Sequence, residues 1–152
     1  MNRFYSASAK RNKTFYSLLP NNKCQFYFVV SNRICTFAAK SKYMEKELFR
    51  AIITENQEYI GRIPLVQRPI DIEEYGNYVF VGVRQAGKSY LLYQRIQQLL
   101  ANGVDVENIV YVNFDDERLQ GMSATDFDLI LQAYHSMYDS QPIFFFDEIQ
   151  NV

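Results

Sequence analysis

The segment Gly82-Val83-Arg84-Gln85-Ala86-Gly87-Lys88-Ser89 reads G-x-x-x-x-G-K-S, a pattern that works only as a tight loop between a strand and a helix. Each fixed position has a physical reason. Glycine at 82 and 87 lets the backbone turn where a side chain would block an anion. Successive amides from Gln85 to Ser89 then face inward as a nest for phosphate oxygens, backed by the positive end of the following helix. Lys88 brings a mobile charge to β- and γ-phosphates, and the Ser89 hydroxyl is placed to ligate Mg²⁺. The flanks agree with this reading. Tyr78-Val79-Phe80-Val81 is a short apolar run predicted as a buried strand. Leu92, Ile96 and Leu99 recur at helical spacing, and Asn102-Gly103 supplies a stop. The chain is therefore built to hold a nucleoside triphosphate, with residues Gly82 through Tyr90 around the phosphates.

A second element lies near the other end. Ile143-Phe144-Phe145-Phe146 is long enough for one buried strand and runs into Asp147-Glu148. At the C-terminal end of a strand, Asp147 can hold the Mg²⁺ shell that Ser89 reaches from the other side. Glu148 can orient and polarise an attacking water, as a carboxylate without metal duty should. That extra carboxylate favours hydrolysis over transfer to a small molecule.

Between these motifs the pattern alternates. Ile109 to Phe114 reads as the second core strand, and it ends in Asp115-Asp116-Glu117-Arg118. This acidic run stands where open α/β sheets bind ligands. Two readings stay open for it: a role near the metal or the water, or a solvated loop with a local Glu-Arg pair. Ser123-Ala124-Thr125-Asp126 resembles a capping box with Asp in place of Glu. The helix it opens carries Phe127, Ile130, Leu131, Tyr134 and Tyr138 on one face, with His135 off that stripe on the surface. Ahead of the loop, Phe49, Ile52, Ile53 and Ile60 define an amphipathic helix from Met44 to about Ile60, ended by Gly61. Pro64 and Pro69 mark an extended connector, Ile70-Asp71-Ile72 alternates like a strand, and Tyr75-Gly76-Asn77 supplies a turn. From Tyr78 the order is strand, helix, strand, helix, strand: an α/β fold with a parallel sheet covered by helices.

Taken together, Tyr78 to Leu92, Ile109 to Leu119 and Pro142 to Val152 resemble the prokaryotic AAA-type P-loop ATPases that usually carry a fused C-terminal domain. The likeness runs from about Met44 to the end. It implies a P-loop NTPase three-layer sandwich, ATP and Mg²⁺ as ligands, Lys88 and Ser89 in the phosphate loop, Asp147 on magnesium, Glu148 on the water, and a homo-oligomer. It also implies a sensor strand between the phosphate-loop strand and the Asp-Glu strand, followed by an arginine, a lid and a further domain. None of these follows Asp147 here, so the expectation is an incomplete core: the N-terminal part of a larger ATPase, with a hole in the sheet and little or no ATP turnover by itself. A nucleotide-binding remnant without catalysis is the alternative.

The net charge of −1 conceals a division at Met44. Residues 1–43 hold eight bases and no acid, whereas 44–152 carry a net charge of −9. This leader admits three readings: a transit peptide, a basic arm for nucleic acid with its interleaved aromatics, or a segment that is disordered or not native coding sequence. Gln25 to Val30 is too short for a membrane span and has no evident strand partner. The expected organisation is a leader at 1–43, a helix and connector at 44–77, and a partial ATPase core at 78–152. Both cysteines, Cys24 and Cys35, fall in the leader, and their absence from 44–152 suits a reducing cytoplasm.

Overall fold

The computed structural model describes residues 25–31, 45–70, 72–73 and 76–152. The seven major elements follow in chain order: β1 (Gln25–Ser31), α1 (Lys46–Tyr59), β2 (Tyr78–Gly82), α2 (Lys88–Ala101), β3 (Ile109–Asn113), α3 (Phe127–His135) and β4 (Ile143–Asp147). Short 3₁₀ turns stand at Ile60–Arg62, Val106–Asn108, Glu117–Leu119, Ala124–Asp126 and Ile149–Asn151.

Period-two alternation sorts the strand side chains onto two faces. On one face Val110, Val112, Phe144 and Phe146 pack against Phe49, Ile52 and Ile53 of α1 and Ile130, Ala133 and Tyr134 of α3. On the other, Tyr27, Ile109, Tyr111 and Phe145 pack against Leu92, Ile96 and Leu99 of α2. Helices thus cover both faces of one sheet, the three-layer α/β core of a P-loop nucleotide-binding fold.

All four strands are parallel, in the order β2-β1-β4-β3. This arrangement corrects two expectations. Gln25 to Val30 has partners on both sides: Tyr27 registers with Tyr78 of β2 and with Phe145 of β4. The gap expected between the phosphate-loop strand and the Asp-Glu strand is filled by a strand from the leader itself. The physical reason is backbone satisfaction. Without β1, both neighbours would carry buried unpaired amides and carbonyls, each costing about 1–3 kcal/mol. Leader residues 1–24 and 32–43 lie outside the described residues, and with them all eight bases, both cysteines, and the transit-peptide and nucleic-acid readings.

The register places Tyr78, Tyr27, Phe145 and Tyr111 in one row across the sheet. Tyr27 is fully buried, stacked 4.6 Å from Phe145 and 5.7 Å from Tyr78 between ring centroids. Arg95 of α2 closes over it, donating from Nε to the Tyr27 hydroxyl at 3.1 Å. The outer edge of β3 is also covered. Asn56 and Gln57 of α1 donate to the carbonyls of Tyr111 (2.9 Å) and Ile109 (3.0 Å), occupying acceptors that an open edge would leave bare.

Three smaller expectations change. The helix predicted from Met44 begins at Lys46, and Gly61 lies inside the 3₁₀ turn that follows it. Ile70 and Ile72 are not in a strand; Asp71 and Tyr75 lie outside the described residues. β2 is less buried than predicted, with Val81 44% exposed, because it pairs on one side only among the described residues. The capping box forms as read, with the Ser123 amide donating to Asp126 Oδ2 at 2.8 Å, although it opens a 3₁₀ turn before α3.

If β1 is integral to the sheet, Tyr27→Ala should lower the unfolding free energy by about 3–5 kcal/mol, the usual effect of emptying a large aromatic site. Urea denaturation of the full chain measures it, and unchanged stability would place the segment outside the sheet.

Candidate nucleotide site

Because the strands are parallel, their C-terminal ends share one edge, and both motifs arrive there: Gly82 ends β2 and Asp147 ends β4. Between β2 and α2 the backbone reverses through Gln85 (φ 60°) and Gly87 (φ 78°), both left-handed. Alternation of this kind makes an anion nest. Gly87 is needed for its positive φ; a Cβ there would also meet Arg68 Nη2, the mobile end of a long side chain that can shift aside. Gly82 is different: its φ is not positive, and a Cβ would make only ordinary contacts, with Lys88 Cδ at 3.7 Å the nearest. The turn therefore depends on Gly87 and on Gln85, a non-glycine in a strained conformation that the motif does not announce.

Gly87 is also the N-cap of α2, with no side-chain acceptor and no acid in the first turn. The first amides of the helix are thus left for an external acceptor, at the positive end of its dipole. One expected donor is diverted: the Ala86 amide bonds the Val83 carbonyl at 3.3 Å. Lys88 is only 4% exposed and curls back so that Nζ donates to the Val83 carbonyl at 3.0 Å. Val83, Arg84, Gln85 and Tyr90 are exposed along the rim.

Asp147 sits across the sheet edge from this loop, 1% exposed. The Ser89 hydroxyl lies near enough to this carboxylate to favour its charged form, so the two predicted metal residues are neighbours. Tyr111 donates to Oδ2 at 3.0 Å, and the Glu148 amide donates to Oδ1 at 3.0 Å. Burial pushes the Asp147 pKa above the usual carboxylate value, while the Ser89 and Tyr111 hydroxyls act against that rise. Burial, then the Asp147 charge, pushes the Tyr111 pKa up, so its hydroxyl remains a proton donor. The Tyr93 hydroxyl of α2 lies 3.0 Å from that of Tyr111 and extends the chain of hydrogen bonds.

These donors suit magnesium. The ion prefers hard oxygens, keeps several waters, and is usually held by one or two carboxylates together with substrate phosphates. A serine hydroxyl and one carboxylate on facing elements meet that description. Among the described residues no cluster of three or more acidic, His or Cys side chains offers an alternative metal site.

Glu148 follows in a left-handed conformation (φ 52°), and its carboxylate accepts from the Gln150 side-chain amide. The acidic run after β3 is tied down by side chains. Arg118 bridges Asp116 of its own loop and Glu55 of α1, each at 2.8 Å. Hydrogen bonds from Arg118 hold the carboxyls of Asp116 and Glu55 below their ordinary pKa. Asp115 accepts from Asn151 at 2.7 Å, which links this loop to the turn after β4. His135 is exposed, as read. Sequence reasoning missed Tyr111, Tyr93 and Arg68. The tyrosines read as strand and helix filler, and Arg68 lies in a connector with no motif of its own.

A phosphate loop ahead of a helix, with an aspartate at the same edge of a parallel sheet, defines a P-loop nucleotide-binding core. Residues 74–152 match the family described as an AAA domain, and the chain belongs to that family. Nucleotide binding goes with that membership. A protein of Methanocaldococcus jannaschii, described as uncharacterised, is 33% identical over 110 residues, covering 71% of this chain and 24% of its own length. An uncharacterised protein of Haemophilus influenzae is 39% identical over 75 residues, covering 49% of this chain and 19% of its own length. The chain thus spans about a quarter or less of these curated relatives. No solved structure matches it significantly. Among the described residues no helix is long and apolar enough to cross a membrane.

Tyr111→Phe removes one donor from a buried carboxylate and should destabilise the protein by about 1–3 kcal/mol. Urea unfolding without nucleotide or metal checks this, and a neutral result would mean that the Asp147 bond is not sustained in solution.

Proposed function

We propose that this chain is the nucleotide-binding part of an ATPase that hydrolyses Mg·ATP, the hydrolysis being an activity of the whole protein. The observation that carries this reading is the arrival of both motifs at one sheet edge, where Gly82 ends β2, Asp147 ends β4, and Ser89 acts on the buried Asp147 carboxylate. The amides around Gly87 and at the start of α2 receive the phosphates, and Lys88 leaves the Val83 carbonyl for the β- and γ-oxygens. Ser89 and Asp147 hold magnesium, which when bound neutralises charge on those oxygens. Glu148, released from Gln150, takes the proton of a water that attacks the γ-phosphorus in line. The bond from that phosphorus to the bridging oxygen breaks, and ADP departs. Family resemblance supports a homo-oligomer, and the cysteine-free stretch from residue 44 to 152 supports a cytoplasmic setting.

Isothermal titration with Mg·ATP tests the first half. Wild type should release heat, and Lys88→Ala should bind too weakly to measure. In the whole protein Glu148→Gln should keep binding and lower turnover by about 100-fold or more, the usual range for losing a general base. Wild-type turnover unchanged by Glu148→Gln would remove that residue from its role. Binding without turnover in the wild type would favour a nucleotide-binding remnant.

A further inference from the structure

The connector from Ile63 to Glu73 is held along α2 by polar side chains of the helix. Gln97 donates to the Ile63 carbonyl at 2.7 Å, and Arg95 Nη2 donates to the Glu73 carbonyl at 3.4 Å. Between them Gln94 exchanges two hydrogen bonds with the backbone of Arg68, accepting from its amide at 2.9 Å and donating to its carbonyl at 2.8 Å. A side-chain amide that pairs both backbone groups of one residue acts as a surrogate strand neighbour. It fixes where that residue's side chain departs. Gln94 is 4% exposed, so water competes poorly for the pair.

From this mount the Arg68 guanidinium reaches the phosphate loop. Nη1 donates to the Ala86 carbonyl at 3.0 Å, and Nη2 fills the space that a side chain at Gly87 would occupy. Among the described residues no carboxylate pairs with it, and Nη1 alone of its nitrogens has a hydrogen-bond acceptor. A cation is thus stationed beside helix-terminal amides, with donors to spare and one neutral carbonyl as its acceptor. Phosphate offers this guanidinium an ionised acceptor in place of a neutral carbonyl, and the planar fork matches phosphate oxygens. Arg68 precedes residues 74–152, so membership of the family does not assign it a role.

We propose that Arg68 is a second phosphate-binding cation of the nucleotide site, mounted by Gln94, and that its guanidinium moves from the Ala86 carbonyl to the polyphosphate when nucleotide binds. The inference rests on the nucleotide-site reading above and adds to it a residue that no motif contains. It also explains why an arginine, rather than a shorter or neutral residue, ends up against Gly87.

Titrations of the full chain with Mg·ATP and with inorganic tripolyphosphate, which lacks adenosine, test the proposal. Arg68→Ala should weaken both ligands by a similar factor of about 10 to 100, as losing one hydrogen bond to a charged group predicts. Arg68→Lys should restore part of the loss, and Gln94→Leu should reproduce part of it while Arg68 is retained. The nucleotide-free melting temperature of Arg68→Ala should stay close to wild type. Unchanged or tighter binding by Arg68→Ala, with or without a lower melting temperature, would overturn the proposal and make Arg68 a latch or plug of the loop. Loss of ATP affinity with tripolyphosphate affinity intact would also overturn it. A wild-type chain that binds neither ligand would instead refute the nucleotide-site reading, and the role of Arg68 with it.

Discussion

The width of one strand governs this structure. β1 stands between β2 and β4, so the two motif-bearing strands lie two spacings apart, roughly 10 Å at the backbone. Removing β1 and letting its neighbours pair directly would halve that separation and crowd Asp147 against the phosphate loop. At the observed spacing the short side chains of Ser89 and Asp147 come close enough across the gap to interact. Site geometry is therefore a property of the sheet as well as of the loop.

The helices add polar ties to this frame at points where apolar packing alone would leave the register free. α1 meets the edge carbonyls of β3 through Asn56 and Gln57, and Arg118 joins the same helix to the loop after β3. α2 holds the connector through Gln94 and Gln97 and meets the buried hydroxyl of Tyr27 through Arg95. Buried side-chain polar atoms without a hydrogen-bond partner are absent among the described residues, which is what a core rich in tyrosine requires.

How much of this could be read from residues alone follows from the range of each interaction. The phosphate loop, α2 and the Ser123–Asp126 box were legible because their signals are local: neighbouring residues restrict one another's backbone. The three-layer parallel core was legible from the order of periodic segments. β1 was not. Its seven residues carry no charge, yet they lie in a segment whose bases suggested a foreign composition, and their partners stand some fifty and more than one hundred positions away. Pairing at that distance leaves no local mark, and strand preference depends on the neighbours it finds. Arg68, Tyr93 and Tyr111 were hidden for the same reason. Each acts through a contact that exists only after the chain has folded.

The row of Tyr78, Tyr27, Phe145 and Tyr111 ends on Asp147. The chain contains no tryptophan, so no indole is present to collect excitation energy from its phenols. Ultraviolet light absorbed by this protein therefore stays with its tyrosines, and one of the buried ones is hydrogen-bonded to the carboxylate at the sheet edge. Sheet and site share a built-in optical probe that needs no attached dye.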